Sequence, residues 1–314
     1  MRAFAISCVV LGLSAVLAIA PWALADEGQT NEKKATETTS PSSPETKSPT
    51  PTPATIKNLV QEAASLIEID GEKAFDQFRT KGSKWFENGT YVFVNNMEGK
   101  IIVCPEFPNL EGVDGIDMKD PQGRPIMASM IDTVSVEPHS GWVHYLWPAA
   151  EGSKVMRWKA SYVTRATTPS GEQFIVGSGL IDDKPSKFFL EDTVDRAAAR
   201  IEAQGDQAFA ALRNKLGPYV YRDTYVFVFN TDGIELVDPQ FSELVGTNVL
   251  EIKDAAGNFP AKEMVEALAN TNSAWVDYQW PKPGQSDPTK KLAYVRKIDM
   301  NGRTLYVGAG IYFD

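Results

Sequence analysis

Two lysines hold the plainest chemical potential in this sequence. Lys159 opens the run Lys159–Ala–Ser–Tyr162–Val163 and Lys291 opens Lys291–Leu–Ala–Tyr294–Val295, each in a stretch whose β-branched and aromatic residues read as a strand. An ammonium among apolar side chains is strongly disfavoured unless something meets its charge. A ligand carboxylate could do so through a charge-assisted hydrogen bond of ~1.5–3 kcal/mol. A structural ion pair, or a stem that snorkels to the surface, would serve equally. Tyr91, Tyr145 and Trp147 in the first half, and Tyr225, Tyr278 and Trp280 in the second, are the aromatic candidates for a ligand site. Sealing a core is the other use of a strand tyrosine. Cys104 and Asp238 complete the set of candidate ligand-binding residues, although Cys104 by itself reads as a small, inert hydrophobe.

Catalytic patterns are scarce. The two histidines, His139 and His144, lie close together in the first half, and no C-x-x-C, H-E-x-x-H, G-x-S-x-G or P-loop pattern occurs. The acidic residues are scattered along turns, which fits solvated surface better than a metal cage. The expectation is a protein that is not an enzyme and uses neither cofactor nor metal. A hydrolase working through the turn acids Asp120 and Asp254 is the catalytic alternative.

These residues sit in a duplicated pattern. Tyr91–Val–Phe–Val94 runs into a turn at Gly99, and Tyr225–Val–Phe–Val228 runs into one at Gly233, with 225 − 91 = 134. Both read as hairpins. The same interval relates Val60 to Val194, Ile67 to Ile201, Gly71 to Gly205 and Phe75 to Phe209, so a leading helix broken near its glycine belongs to the repeat. After each hairpin come a turn (Asp120 to Gly123, Asp254 to Gly257), a short helix clearest at residues 262–269, and two strands. The first strand of the pair is Trp142–Val–His–Tyr–Leu–Trp147–Pro148 or Trp275–Val–Asp–Tyr–Gln–Trp280–Pro281, and the second carries the lysine. A last strand contains Gly177 and Gly179, or Gly308 and Gly310, read as places of close backbone approach. Period two puts Lys159 and Tyr162 on opposite faces, and puts Val143, Tyr145 and Trp147 on one face. Each unit is α+β, a long N-terminal helix backing a five-stranded antiparallel sheet.

The flanks and composition set the address. Residues 1–25 read as a cleaved signal peptide: Arg2, an apolar run, then Ala23–Leu–Ala25. Residues 26–54, rich in Thr, Ser and Pro, read as a disordered tether. Modules are expected at 55–185 and 186–314. Loss of Arg2 takes the net charge from −10 to −11, which argues against nucleic acid and anionic membrane surfaces as partners. Cleavage also removes Cys8, leaving Cys104 unable to form an intramolecular disulfide. No later segment reads as a membrane span, so a soluble periplasmic protein is expected. The leading helix could pair in a homodimer, and core packing would explain its apolar face equally well.

With these motifs in order, both halves resemble the type 2 single Cache domain, a PAS-like bacterial extracytoplasmic sensor module. The resemblance rests on Tyr91–Val94, Gly99, Asp120–Gly123, Trp142–Pro148, Lys159–Val163 and Val176–Gly179, and on their second-half counterparts. It implies two tandem modules, each binding a small molecule, a short-chain organic acid or an amino acid, between the sheet and its covering loops. It implies signalling through a separate membrane partner, since no kinase, methyl-accepting or cyclase segment is present. One departure stands out: the His of the family's H-P is Cys104 here and Asp238 in the second half. Asp238 would repel a carboxylate, so that half is expected to prefer an amine-bearing ligand or to be structural. A ligand-free scaffold for protein assembly is the alternative.

Overall fold

Thr52 starts the fold by closing a reciprocal capping box with Thr55, and Pro53 follows at the first helical position. The computed structural model describes residues 51–87, 89–181 and 184–313. The expected signal peptide and nearly all of the expected tether lie outside them. Helix α1 (Pro53–Asp70) therefore begins two residues before the expected start at residue 55. It ends where Gly71 takes a left-handed φ of 61°, and a short α2 (Ala74–Phe78) follows. Ile56, Val60, Ala63 and Ile67 are all buried in the chain's own core, so the apolar stripe that might have served a dimer is covered by the sheet.

The first sheet contains β1 (Phe93–Asn96), β2 (Ile101–Val103), β3 (Ser140–Pro148), β4 (Met156–Thr167) and β5 (Gln173–Ile181), with α3 (Ile126–Ser135) between β2 and β3. Its strand order is β2-β1-β5-β4-β3, antiparallel throughout. The second half opens with α4 (Lys187–Gln204), ended by Gly205 at φ 59°, and α5 (Ala208–Leu212). Then come β6 (Thr224–Asn230), β7 (Glu235–Val237), α6 (Pro260–Ala267), β8 (Ser273–Pro281), β9 (Pro288–Met300) and β10 (Arg303–Phe313). The order β7-β6-β10-β9-β8 repeats the permutation of the first sheet. The sheet also has a sixth member, the two-residue strand Val220–Tyr221 beside β6, where five strands were expected. The covering helix α6 starts at Pro260 rather than 262 because proline is favoured at the first helical position.

Strand alternation divides each sheet into two faces. In the first, Val92, Val94, Trp142, Ala160 and Tyr162 pack under α1. Tyr91, Phe93, Val143, Tyr145 and Val163 point the other way, toward α3 and the loop before it. Lys159 lies on this second face, with Tyr162 opposite as the alternation requires. The second sheet divides likewise between α4 and α6.

The halves are not beads on a string. Residues Ser48–Asp314 form one compact unit. Helix α4 backs the second sheet with Leu190, Val194, Ala197 and Ile201, while Phe189 stacks edge-on against Trp142 of the first. The buried Arg196 binds Asp192 at 2.8 Å and donates to the Trp142 carbonyl at 3.0 Å, and Arg200 reaches Asp132 of α3 at 2.6 Å. The Arg124 guanidinium donates to the Val220 carbonyl at 2.9 Å. His144 stacks on Tyr221 with ring centres 3.9 Å apart. Burial, then Arg196, Arg124 and Arg222, push its pKa down to about 3, so it is a neutral packing residue. Among the described residues no helix is long and apolar enough to cross a membrane.

Removing Arg196 should break this joint. Arg196→Met is expected to lower stability by roughly 3 kcal/mol, the low end for a broken buried pair because Asp192 keeps some solvent contact. Urea unfolding measures this, and a loss below about 1 kcal/mol would mean that the helix is held by apolar packing alone.

Candidate functional site

Each sheet presents its lysine to the face away from the long helix, and in each half a cavity lies there. Lys159, at the paired edge of β4 facing Tyr145 of β3, is only 3% exposed. Its Nζ donates to the Tyr91 hydroxyl at 2.8 Å and lies 4.3 Å from that ring's centre, with Phe93 and Trp147 at 5.4 and 5.6 Å. Among the described residues no carboxylate forms an ion pair with it. Burial pulls the Lys159 pKa down to about 8, only partly opposed by Cys104 and Glu106. Tyr145 hydrogen-bonds Ser161 at 2.8 Å, and the indole N–H of Trp147 is buried without a hydrogen-bond partner.

All five candidates of the first half, Lys159, Tyr145, Tyr91, Cys104 and Trp147, line one cavity. Its volume is about 30 Å³, room for two or three water positions at roughly 10–15 Å³ each. Asn95 of β1 and Met118, Met127 and Met130 of the cover share the lining, and sequence reasoning missed them. Methionines adapt their shape readily, which suits a cover that must seat a small guest. Burial pushes the Cys104 thiol up to about 11, so it lines the wall as an uncharged group.

Lys291, Tyr278, Tyr225, Asp238 and Trp280 are likewise brought together, around a cavity of about 50 Å³. Lys291 is 1% exposed and donates to the Tyr225 hydroxyl at 3.0 Å. Tyr225, Tyr312, Phe227 and Tyr278 surround its ammonium at 4.2 to 5.8 Å from their ring centres. Burial lowers the Lys291 pKa to about 7 against the opposing pull of Asp238 and Glu235. Glu235 was not foreseen. It takes the place of Ile101, 134 residues on, and an acid at a repeat position that is apolar in the other copy was the available signal.

The strand glycines explain how lysines fit inside. A Cβ at Gly310 would collide with the Lys291 stem, and one at Gly179 would crowd the Ala160 carbonyl, Ser161 and the Lys159 stem. These positions give the lysines room; they hold no phosphate. The turn acids are structural too: Asp120 accepts from the N–H groups of Gln122, Arg124 and Leu146, and Asp254 from those of Ala256, Asn258 and Gln279. Each carboxylate ties its turn to the neighbouring strand, which leaves little for the hydrolase alternative to use.

A Cache domain model matches residues 54–314 in one span. The chain belongs to the Cache domain family. The match covers both sheets as one Cache domain and not as two successive ones, which replaces the expected pair of separate modules and accords with the shared helix α4. Sensor histidine kinase MctS of Rhizobium johnstonii is 30% identical over 126 residues, 40% of this chain and 26% of that protein. Methyl-accepting chemotaxis protein McpP of Pseudomonas putida is 29% identical over 122 residues, 39% and 21% of the two chains. The matched stretch thus spans about a quarter of these relatives' length. A solved Cache chemosensory domain, described in terms of carboxylic acid recognition, is 26% identical, with a TM-score of 0.36, over 40% of this chain and 91% of its own. The chain is thus similar to a part of a sensor histidine kinase and to a part of a methyl-accepting chemotaxis protein.

Lysine burial leaves a measurable signature. Between pH 8 and about 10.5 the unfolded chain holds a proton that folded Lys159 has lost, so stability rises with pH through that window, and the full cost stands below it. The cost is roughly 3 kcal/mol. Lys159→Met should be the more stable protein at pH 7, with the gap closing toward pH 10 in parallel urea titrations. A gap independent of pH would show that the ammonium is not held in a low-dielectric site.

Proposed function

We propose that this Cache domain is a non-enzymatic extracytoplasmic receptor for a short-chain carboxylate, bound in the first cavity by Lys159. The observation that carries the reading is an ammonium with one neutral partner, set in the same lining as the unpartnered indole N–H of Trp147. A buried ammonium at the wall of one small hollow suits an anionic acceptor. The room available limits the guest to an acid of two or three carbons unless the methionine cover moves. That the related Cache chemosensory domain is described for carboxylic acid recognition accords with this class of ligand.

The repeated strand order and the 134-residue interval support descent of the two halves from one duplicated unit. Kinship with a sensor kinase and a chemoreceptor supports a signalling role. In this reading residues 1–25 direct export to the periplasm, and the liganded domain signals by contact with a separate membrane partner. The modest cavity sizes favour a second reading, a scaffold that kept the fold and lost the ligand.

Acetate and propionate should raise the melting temperature of the full chain by several degrees at millimolar concentration, and Lys159→Ala should abolish the shift. No shift with any member of a short-chain acid series would favour the scaffold.

A further inference from the structure

The two cavities share a plan and differ in charge. In the first, Lys159 faces Ile101 and Cys104; at the corresponding places in the second stand Glu235 and Asp238. Asn95 of the first is Phe229 in the second, so the second wall gains an aromatic face as it gains two acids. Asp238 is fixed by two loop amides, Gln240 N–H at 2.8 Å and Phe241 N–H at 2.7 Å, both on Oδ1. Its other oxygen is committed to no group among the described residues. Glu235 is 4% exposed and lines the cavity; burial and the neighbouring Asp238 hold its carboxyl well above the usual carboxylate range, against the opposing pull of Lys291 and the Val228 backbone amide. Two buried carboxyls at the wall of one hollow, with a single ammonium near them, keep acceptor capacity for a group that enters. An anion there would face both acids. Lys291 has its own surroundings already, the Tyr225 hydroxyl and four aromatic rings, so one cation is set against two acids.

We propose that the second cavity binds a primary ammonium group, received between Glu235 and Asp238 against Phe229, Tyr278 and Trp280, so that one Cache domain takes two ligands of opposite charge. The acids supply charge-assisted acceptors, and the ring faces supply the attraction that an electron-rich π surface has for a cation. The larger room, about 50 Å³ against about 30 Å³, admits an amine of two or three carbons with or without a further small group. This assignment is independent of the anion site, because it uses none of the residues of the first cavity.

The test is calorimetric titration of the full chain with ethylammonium, alanine and propionate, on wild type, Lys159→Met, Lys291→Met, Glu235→Gln and Asp238→Asn. Ethylammonium should bind wild type and Lys159→Met alike and at least tenfold more weakly to Glu235→Gln; Asp238→Asn gives the same reading if Glu235→Gln does not fold. Binding of alanine as well supports the proposal and places a carboxylate on Lys291, whereas ethylammonium alone identifies a simple amine. Failure of both amines to bind wild type overturns the proposal, as does unchanged affinity in the variants, or propionate binding that survives Lys159→Met and is lost in Lys291→Met. Since propionate reads the first cavity through Lys159 and the amines read the second through Glu235, either assignment can fail without the other.

Discussion

A lysine ammonium enclosed on the inner face of a β-sheet, with a tyrosine hydroxyl as its nearest hydrogen-bond partner, is the constraint around which each half of this domain is built. Burying that charge is costly, and the surroundings reduce the cost without cancelling it. Tyr91 or Tyr225 accepts a hydrogen bond from it, aromatic faces lie within cation–π range, and a glycine on the adjacent strand leaves space for the stem. Among the described residues no ion pair finishes the task in the first half. Under the proposed function that residual penalty would be relieved by the ligand, since a poorly solvated ammonium gains most when an anion arrives.

The cover and the joint follow from the same requirement. Helix α3 and its methionines cover the first cavity, and Asp120 holds the turn before that helix against β3. On the other side of the sheet, Trp142 of β3 is gripped by Arg196 and Phe189 of α4, the helix that also backs the second sheet. A change in the curvature of β3 on ligand binding would therefore be felt at α4 directly. Opposite charge preferences in two cavities linked this way would let one domain weigh two metabolites against each other.

Much of this was legible in the sequence, and for stated reasons. The 134-residue interval, the two lysines and the strand tyrosines stand out because period-two alternation makes an inward lysine conspicuous. All ten candidate residues fall on the two cavities, five on each. Glu235 was passed over because the three-residue strand holding it is too short for alternation to show. Asn95 sits in a run of two asparagines that reads as the start of a turn. The single-domain organisation was hidden by the repeat itself: the residues that weld the halves, Arg196, Arg200 and Tyr221, are long-range partners with no local pattern. The sixth strand, Val220–Tyr221, pairs with the start of β6 as Phe86–Glu87 pairs with Thr90–Tyr91 134 residues earlier, and Tyr221 also packs on His144.

Direct observation of the Lys159 ε-ammonium by NMR, titrated in the absence and presence of saturating propionate, tests the central claim most closely. The account requires a pKa near 8 in the empty domain and a return toward the ordinary lysine value of 10.5 when the anion is bound. A lysine that titrates at the same pH in both states would contradict it, because the buried charge would then have no part in holding the ligand.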